Sequence, residues 1–213
     1  MKKHYRRFLS AAPGRLHFAA HSHHAWPDVT REAHLQAWDD AARLADHKWD
    51  RIFGQVVPEA QGHIARILDL EDPGQIAFAP NTHEFVVRLL SCLPPGKRPR
   101  IVTTDSEFMS FSRQTARLEE DGLAEVVRVS AEPFDTFASR FIEAARVQGT
   151  DMVFFSQVFF NSGFVVRDLE RIVASAPADA LVIVDGYHAF FAVPTQYQQL
   201  LEAPGFAEAD LSR

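Results

Sequence analysis

Short apolar runs at residues 76–78, 101–103, 125–129, 152–155 and 181–184 alternate with stretches long enough for one amphipathic helix each. Strands that pair in parallel need a crossover between them, and a helix is the usual way to make one. The alternation therefore predicts an α/β chain: a mainly parallel sheet with helices on both faces. The last run, Leu181-Val182-Ile183-Val184, leads into Asp185 and Gly186. An unbroken apolar run of this kind predicts a buried strand that delivers a carboxylate to its C-terminal end, the edge at which open α/β sheets bind ligands.

The crossover helices are expected over residues 82–92, 108–120, 135–147 and 168–175, with Cys92 packed on a helix face. Before the first run the pattern is helical. Val29, Ala33, Ala37, Trp38, Ala41, Leu44, Ala45, Trp49 and Ile52 recur at steps of three and four, which predicts one long helix over residues 27–53 with Pro27 in its first turn. A second helix is expected over residues 56–68, closed by the turn Asp72-Pro73-Gly74, and another over 196–201. The expected division is an N-terminal helical segment, residues 1–70, and a larger α/β domain, residues 71–213.

A net charge of -6 over 213 residues argues against a nucleic-acid surface. No apolar run approaches the ~18 residues of a membrane span, and the first residues lack the apolar stretch of a signal peptide. No nucleic-acid or membrane partner is expected, and a cytoplasmic location is. Cys92 is the single cysteine, so an internal disulfide and a cysteine zinc site are both excluded.

Several segments can carry chemistry. Asp185, with His188 three residues on, can hold a cationic ring nitrogen, because low dielectric strengthens a hydrogen-bonded charge pair; it can equally cap the segment that follows. Asn81-Thr82-His83-Glu84 stands at a helix start, where N–H groups and the Thr82 hydroxyl can hold a phosphate, although Asn81 and Glu84 also satisfy a capping box. In Thr103-Thr104-Asp105-Ser106-Glu107-Phe108, the aromatic ring would lie at the sheet mouth and could stack on a planar ligand or fill core. Gln157 and Asn161 interrupt the aromatic run after residue 155, with a tight turn expected through Asn161-Ser162-Gly163. His17, His21, His23 and His24 cluster, but His21-Ser22-His23-His24 lacks a helical ligand pair with an acid, so a pocket lining or hydrogen bonding at the surface is favoured over a metal site.

Taken together, these segments resemble the fold-type I pyridoxal-phosphate enzymes, in particular the class V aminotransferase and kynureninase-like group, from about residue 16 to 194. The resemblance implies a pyridoxal-phosphate-dependent transferase-like large domain binding pyridoxal 5'-phosphate. It implies that Asp185, in an Asp-x-x-His motif with His188, pairs with the pyridine nitrogen, and that Phe108 stacks on the ring. It further implies that Asn81, Thr82 and His83 hold the phosphate, and that Asn161 lies near the phenolic oxygen. The stretch from Leu16 to Pro27 is similar to the segment lining the substrate entrance, which gives His21, Ser22 and His24 a substrate-binding role. An amino-acid substrate and a homodimer are implied as well.

The chain departs from that pattern in one decisive respect. Its four lysines, Lys2, Lys3, Lys48 and Lys97, all precede Asp185, whereas the family's Schiff-base lysine follows its Asp by about one β-α step. No catalytic residue is therefore assigned. Gln157 also stands where many relatives carry His, and residues 204–213 show neither strand nor cap. The expectation is an N-terminal and large-domain portion of a longer enzyme, incomplete at its C-terminus and inactive alone. The alternatives are a non-catalytic binding module of the same fold and a His-cluster metal hydrolase.

Overall fold

A computed structural model of the protein describes residues 2–18 and 25–190. These fall into two compact units that divide between Pro80 and Asn81.

The first unit is helical: α1 (Arg6–Ser10), α2 (Asp28–Leu44), α3 (Lys48–Arg51) and α4 (Val57–Leu68). The expected single helix over residues 27–53 is broken. Ala45 takes a left-handed φ of 47°, and a 3-10 turn, α3 and a π-turn over Ile52–Val56 follow. A buried charge accounts for the break. Asp40 is 6% exposed and accepts hydrogen bonds from Gln36 and Arg43, and Arg51 pairs with it as well. On one straight helix Arg51 would stand about 16 Å along the axis from Asp40. Only a redirected chain brings the guanidinium back to the carboxylate, and an unpaired buried charge is costly.

Residues 76–78 are also not a strand. Ile76 has extended backbone, but its carbonyl accepts the Gln61 side-chain amide at 2.7 Å, so the group a ladder would use is taken locally.

The second unit alternates as expected: α5 (Thr82–Leu90), β1 (Arg100–Thr104), α6 (Met109–Glu120), β2 (Glu125–Val129), α7 (Phe137–Ala145), β3 (Thr150–Ser156), α8 (Leu169–Ser175), β4 (Leu181–Asp185) and α9 (Tyr187–Phe190). The strands form a parallel sheet in the order β2-β1-β3-β4. Alternation along each strand separates two cores. Val102, Val153 and Phe155 point to one face and meet Phe137, Phe141, Ala145 and Ile172 from α7 and α8. Ile101, Val126, Met152 and Phe154 point to the other and meet Val86 of α5 and Phe111 of α6. Phe111 and Phe154 lie nearly parallel, with ring centroids 3.6 Å apart.

Two local expectations are corrected. Cys92 is exposed, because α5 ends at Leu90 and its Sγ sits past the helix end, donating to the Arg88 carbonyl. The 181–184 strand is half-buried, with Val184 37% exposed, because among the described residues it pairs only with β3. The proposed helix at 196–201 lies outside the described residues.

Candidate functional site

The strand order fixes where a ligand crevice belongs. From β1 the chain crosses to β2 on one side and then to β3 on the other, so the strand order reverses between β1 and β3. At such a switch point the connections leave in opposite directions, and a crevice opens at the C-terminal ends. Thr104, Ser156 and Asp185 are the last residues of β1, β3 and β4, and Ser156 and Asp185 are register partners.

Asp185 lies at this edge, half-buried, with its Oδ1 accepting the Tyr187 N–H at 2.9 Å. Its carbonyl accepts the Gln157 N–H at 2.9 Å, which carries the β3–β4 pairing one residue past Ser156. The carboxylate thus has the local capping role, held where it can also face a ligand. His188 is half-buried in the single turn α9, its ring edge-on to Tyr187 at 5.1 Å.

Phe108 immediately precedes α6, in extended backbone, and its side chain is 39% exposed. Its ring meets that of Phe160 edge to face at 5.3 Å, a geometry that leaves ring surface for stacking. Asn161, the residue after Phe160, donates from Nδ2 to Ser106 Oγ at 3.3 Å. The two loops are therefore joined twice. The expected turn forms here, with Gly163 at φ 70° and its N–H on the Phe159 carbonyl at 2.7 Å.

Asn81 caps α5: its Oδ1 accepts the Glu84 N–H at 3.0 Å. Thr82 and His83 occupy the first turn, half-buried and exposed respectively. A helix whose far end feeds the start of β1 begins at the opposite, ligand-binding side, and its remaining first-turn N–H groups suit an anion. No described hydrogen bond joins Thr82 or His83 to Asp185 or Phe108. His21, Ser22 and His24 lie outside the described residues, as does most of the His cluster. Among the described residues no group of three potential metal ligands occurs.

Glu107 is the residue that sequence reasoning passed over. It is 5% exposed, and its carboxyl joins β1 to β3 across the switch point. Oε1 accepts from the Thr104 hydroxyl at 2.5 Å and from the Ser156 N–H at 3.1 Å, while Oε2 meets the Ser156 hydroxyl at 2.6 Å. Burial pushes its pKa up to about 7; the hydrogen bonds to Ser156 and Thr104 oppose the rise, and the nearby Asp185 charge adds to it. The one available signal was an acid directly before the candidate stacking ring, at a strand end where side chains turn inward. On the β2 side, Asp105 accepts the Ala131 N–H at 2.9 Å, and an open polar cavity of about 330 Å³ is lined by Asp105, Ser106, Ser130, Glu132, Asn161 and Ser162 among others.

This edge offers an acid for a cation, an exposed aromatic face, an amide and hydroxyls beside it, and a helix start for an anion. That donor set fits pyridoxal phosphate, a planar cationic ring bearing a phosphate. Comparison with known proteins points the same way. In solved structures the fold is shared with a variant of C-DES carrying glycine covalently linked to its pyridoxal-phosphate cofactor (TM-score 0.69, 16% identity, 88% of this chain and 53% of that chain covered). It is shared with the cystine C-S lyase C-DES in complex with its reaction product cysteine persulfide (TM-score 0.69, 17% identity, 87% and 53% covered). The cysteine desulfurase CsdA from Escherichia coli is also similar (TM-score 0.60, 18% identity, 84% and 47% covered). The chain spans about half the length of these proteins, and at such identities the likeness is one of fold. No curated protein matches the sequence significantly. The sequence model described as aminotransferase class-V matches residues 26–201, well over half of the chain, and the protein belongs to the class-V aminotransferase family.

Proposed function

We propose that this chain is the cofactor-anchoring portion of a class V enzyme acting on an amino acid, with pyridoxal 5'-phosphate, the family's cofactor, seated at the C-terminal edge of β1, β3 and β4. The observation that carries this reading is the pairing of Asp185 with Ser156 in register, next to the switch point from which Phe108 projects. When bound, the cofactor supplies an electron sink for bonds broken at the substrate's alpha carbon. Asp185 holds the pyridine nitrogen in its charged form, a charge-assisted contact strengthened by partial burial. Phe108 supports one ring face, with Phe160 fixing its angle. Thr82, His83 and the first turn of α5 take the phosphate, while Asn81 keeps the helix start in place. Asn161 would hold the phenolic oxygen, and His188, three residues after Asp185, would contribute to the same cofactor site.

The substrate is assigned to His21, Ser22 and His24, and the reaction to the aminotransferase, kynureninase-like or C–S lyase types. Cleavage at sulfur is the reaction stated for C-DES. A homodimer and a cytoplasmic location complete the reading; no described helix is long and apolar enough to cross a membrane.

By itself this chain does not turn over. Lys97, the nearest lysine before Asp185 in sequence, has its Nζ on Asp151 at 2.5 Å, beside the first residues of β1 and β3 and so at the end of the strands away from Asp185. That placement also favours the second reading, a binding module of the same fold without catalysis. The test is direct. Pyridoxal phosphate titrated into the purified chain should bind saturably and be weakened by Asp185→Ala, and borohydride reduction should leave no stoichiometric protein adduct. A stoichiometric adduct at one lysine would refute the inactivity, and no saturable binding by folded protein would refute the cofactor site.

A further inference from the structure

Glu107 does nothing in the reading above, yet it is the most deeply buried acid at the sheet edge. If packing alone were needed there, an apolar side chain would serve at lower cost, since a buried carboxyl must recover its lost hydration from well-placed donors. Here the donors are supplied by the Thr104 hydroxyl and by the Ser156 N–H and hydroxyl, residues that close β1 and β3 respectively. Thr104 Oγ1 also accepts the Ser106 N–H at 3.1 Å, so the short segment leading to Phe108 is pinned at two consecutive residues. Ser156 is the register partner of Asp185. One continuous path of bonded groups therefore runs from Phe108 through Glu107 and Ser156 to Gln157, whose N–H donates to the Asp185 carbonyl.

We propose that Glu107 is a positioning residue of the cofactor site, a bridge across the switch point that fixes the spacing between the Phe108 ring and the Asp185 carboxylate. The proposal rests on the reading that this edge holds pyridoxal phosphate. A rigid planar ligand that must meet an aromatic face and an acid together tolerates little drift between them, and such sites hold their groups within about 0.5 Å through supporting hydrogen bonds. Without the bridge, two buried hydroxyls and one N–H lose their acceptor, and the 105–108 segment is released from β3. A glutamine keeps the bridge: its oxygen accepts from Thr104 and from the Ser156 N–H, and its amide donates to the Ser156 hydroxyl.

The experiment is equilibrium dialysis of pyridoxal phosphate against the full chain and the variants Glu107→Gln, Glu107→Ala and Ser156→Ala. Folded fraction is fixed for each by circular dichroism, and affinity is expressed per folded molecule. Glu107→Gln should match the unsubstituted chain. Glu107→Ala should bind about 10–100-fold more weakly, the range found for outer partners of ligating groups at metal sites. Ser156→Ala, which removes one of the three contacts, should fall between and carries the test if Glu107→Ala does not fold. A purely structural residue would lower the folded fraction without changing affinity per folded molecule; that result, or a glutamine variant as weak as the alanine one, overturns the proposal while leaving the cofactor site intact. Failure of the unsubstituted chain to bind removes the cofactor site and the bridge with it, and is recognisable because no variant is then needed to see it.

Discussion

The Glu107 carboxyl makes the stability of the second unit depend on pH, and the sign follows from burial. Its folded pKa is about 7 against an ordinary 4.5. Between these values the folded chain keeps a proton that the unfolded chain has released. The contribution of Glu107 to stability is therefore full below about pH 4.5 and is lost as pH rises through 7, by on the order of 3 kcal/mol in all. Glu107→Gln has no such group. Urea midpoints of the two proteins measured from pH 5 to 8 should separate accordingly, with the unsubstituted chain losing stability relative to the variant as pH rises; parallel curves would mean that the carboxyl is not held in its protonated form. The residue itself stood in plain view between Ser106 and Phe108. Its partner Ser156 is 49 positions away, and a hydrogen bond over that distance has no local periodicity to betray it.

At the scale of elements, the two faces of the sheet explain which changes should matter. Phe141 of α7 is fully buried, with its ring 5.3 Å from that of Phe155 on β3 and 5.4 Å from that of Phe137. Phe141→Ala should cost about 3–5 kcal/mol, since the cavity adds to the lost transfer energy. Calorimetry of the folded chain would register this as a large fall in melting temperature. Asn81→Ala should cost only about 1 kcal/mol, the usual worth of a side-chain cap, read as a small shift in urea midpoint. The strands and crossover helices of the second unit were legible because their residues obey periods that the sheet and its covering helices impose. The first unit was harder to read. Apolar spacing continued through Ala45, but the buried Asp40 needed Arg51, and that pairing outweighed helical continuity. The run at 76–78 had strand composition, yet the Gln61 side chain claimed the Ile76 carbonyl. Side-chain competition of this kind is invisible to a pattern of apolar and polar letters.

For the whole molecule, membership of the class-V aminotransferase family and the topology of the sheet converge on one edge. Asp185, Phe108 and Asn161 come from separate segments whose order alone suggested the family. The structure carries them on β4, before α6 and after β3, with Ser106, Glu107 and Ser156 as the joints between loops. All four lysines precede Asp185; on the proposed reading the site has no covalent anchor in this chain, and binding would rest on the acid, the ring and the helix start. A structure of the chain with pyridoxal phosphate bound tests that most directly. It should show the pyridine nitrogen within hydrogen-bond distance of the Asp185 carboxylate, the ring against Phe108 and the phosphate at the start of α5. A cofactor seated elsewhere, or one whose nitrogen faces away from Asp185, would contradict it.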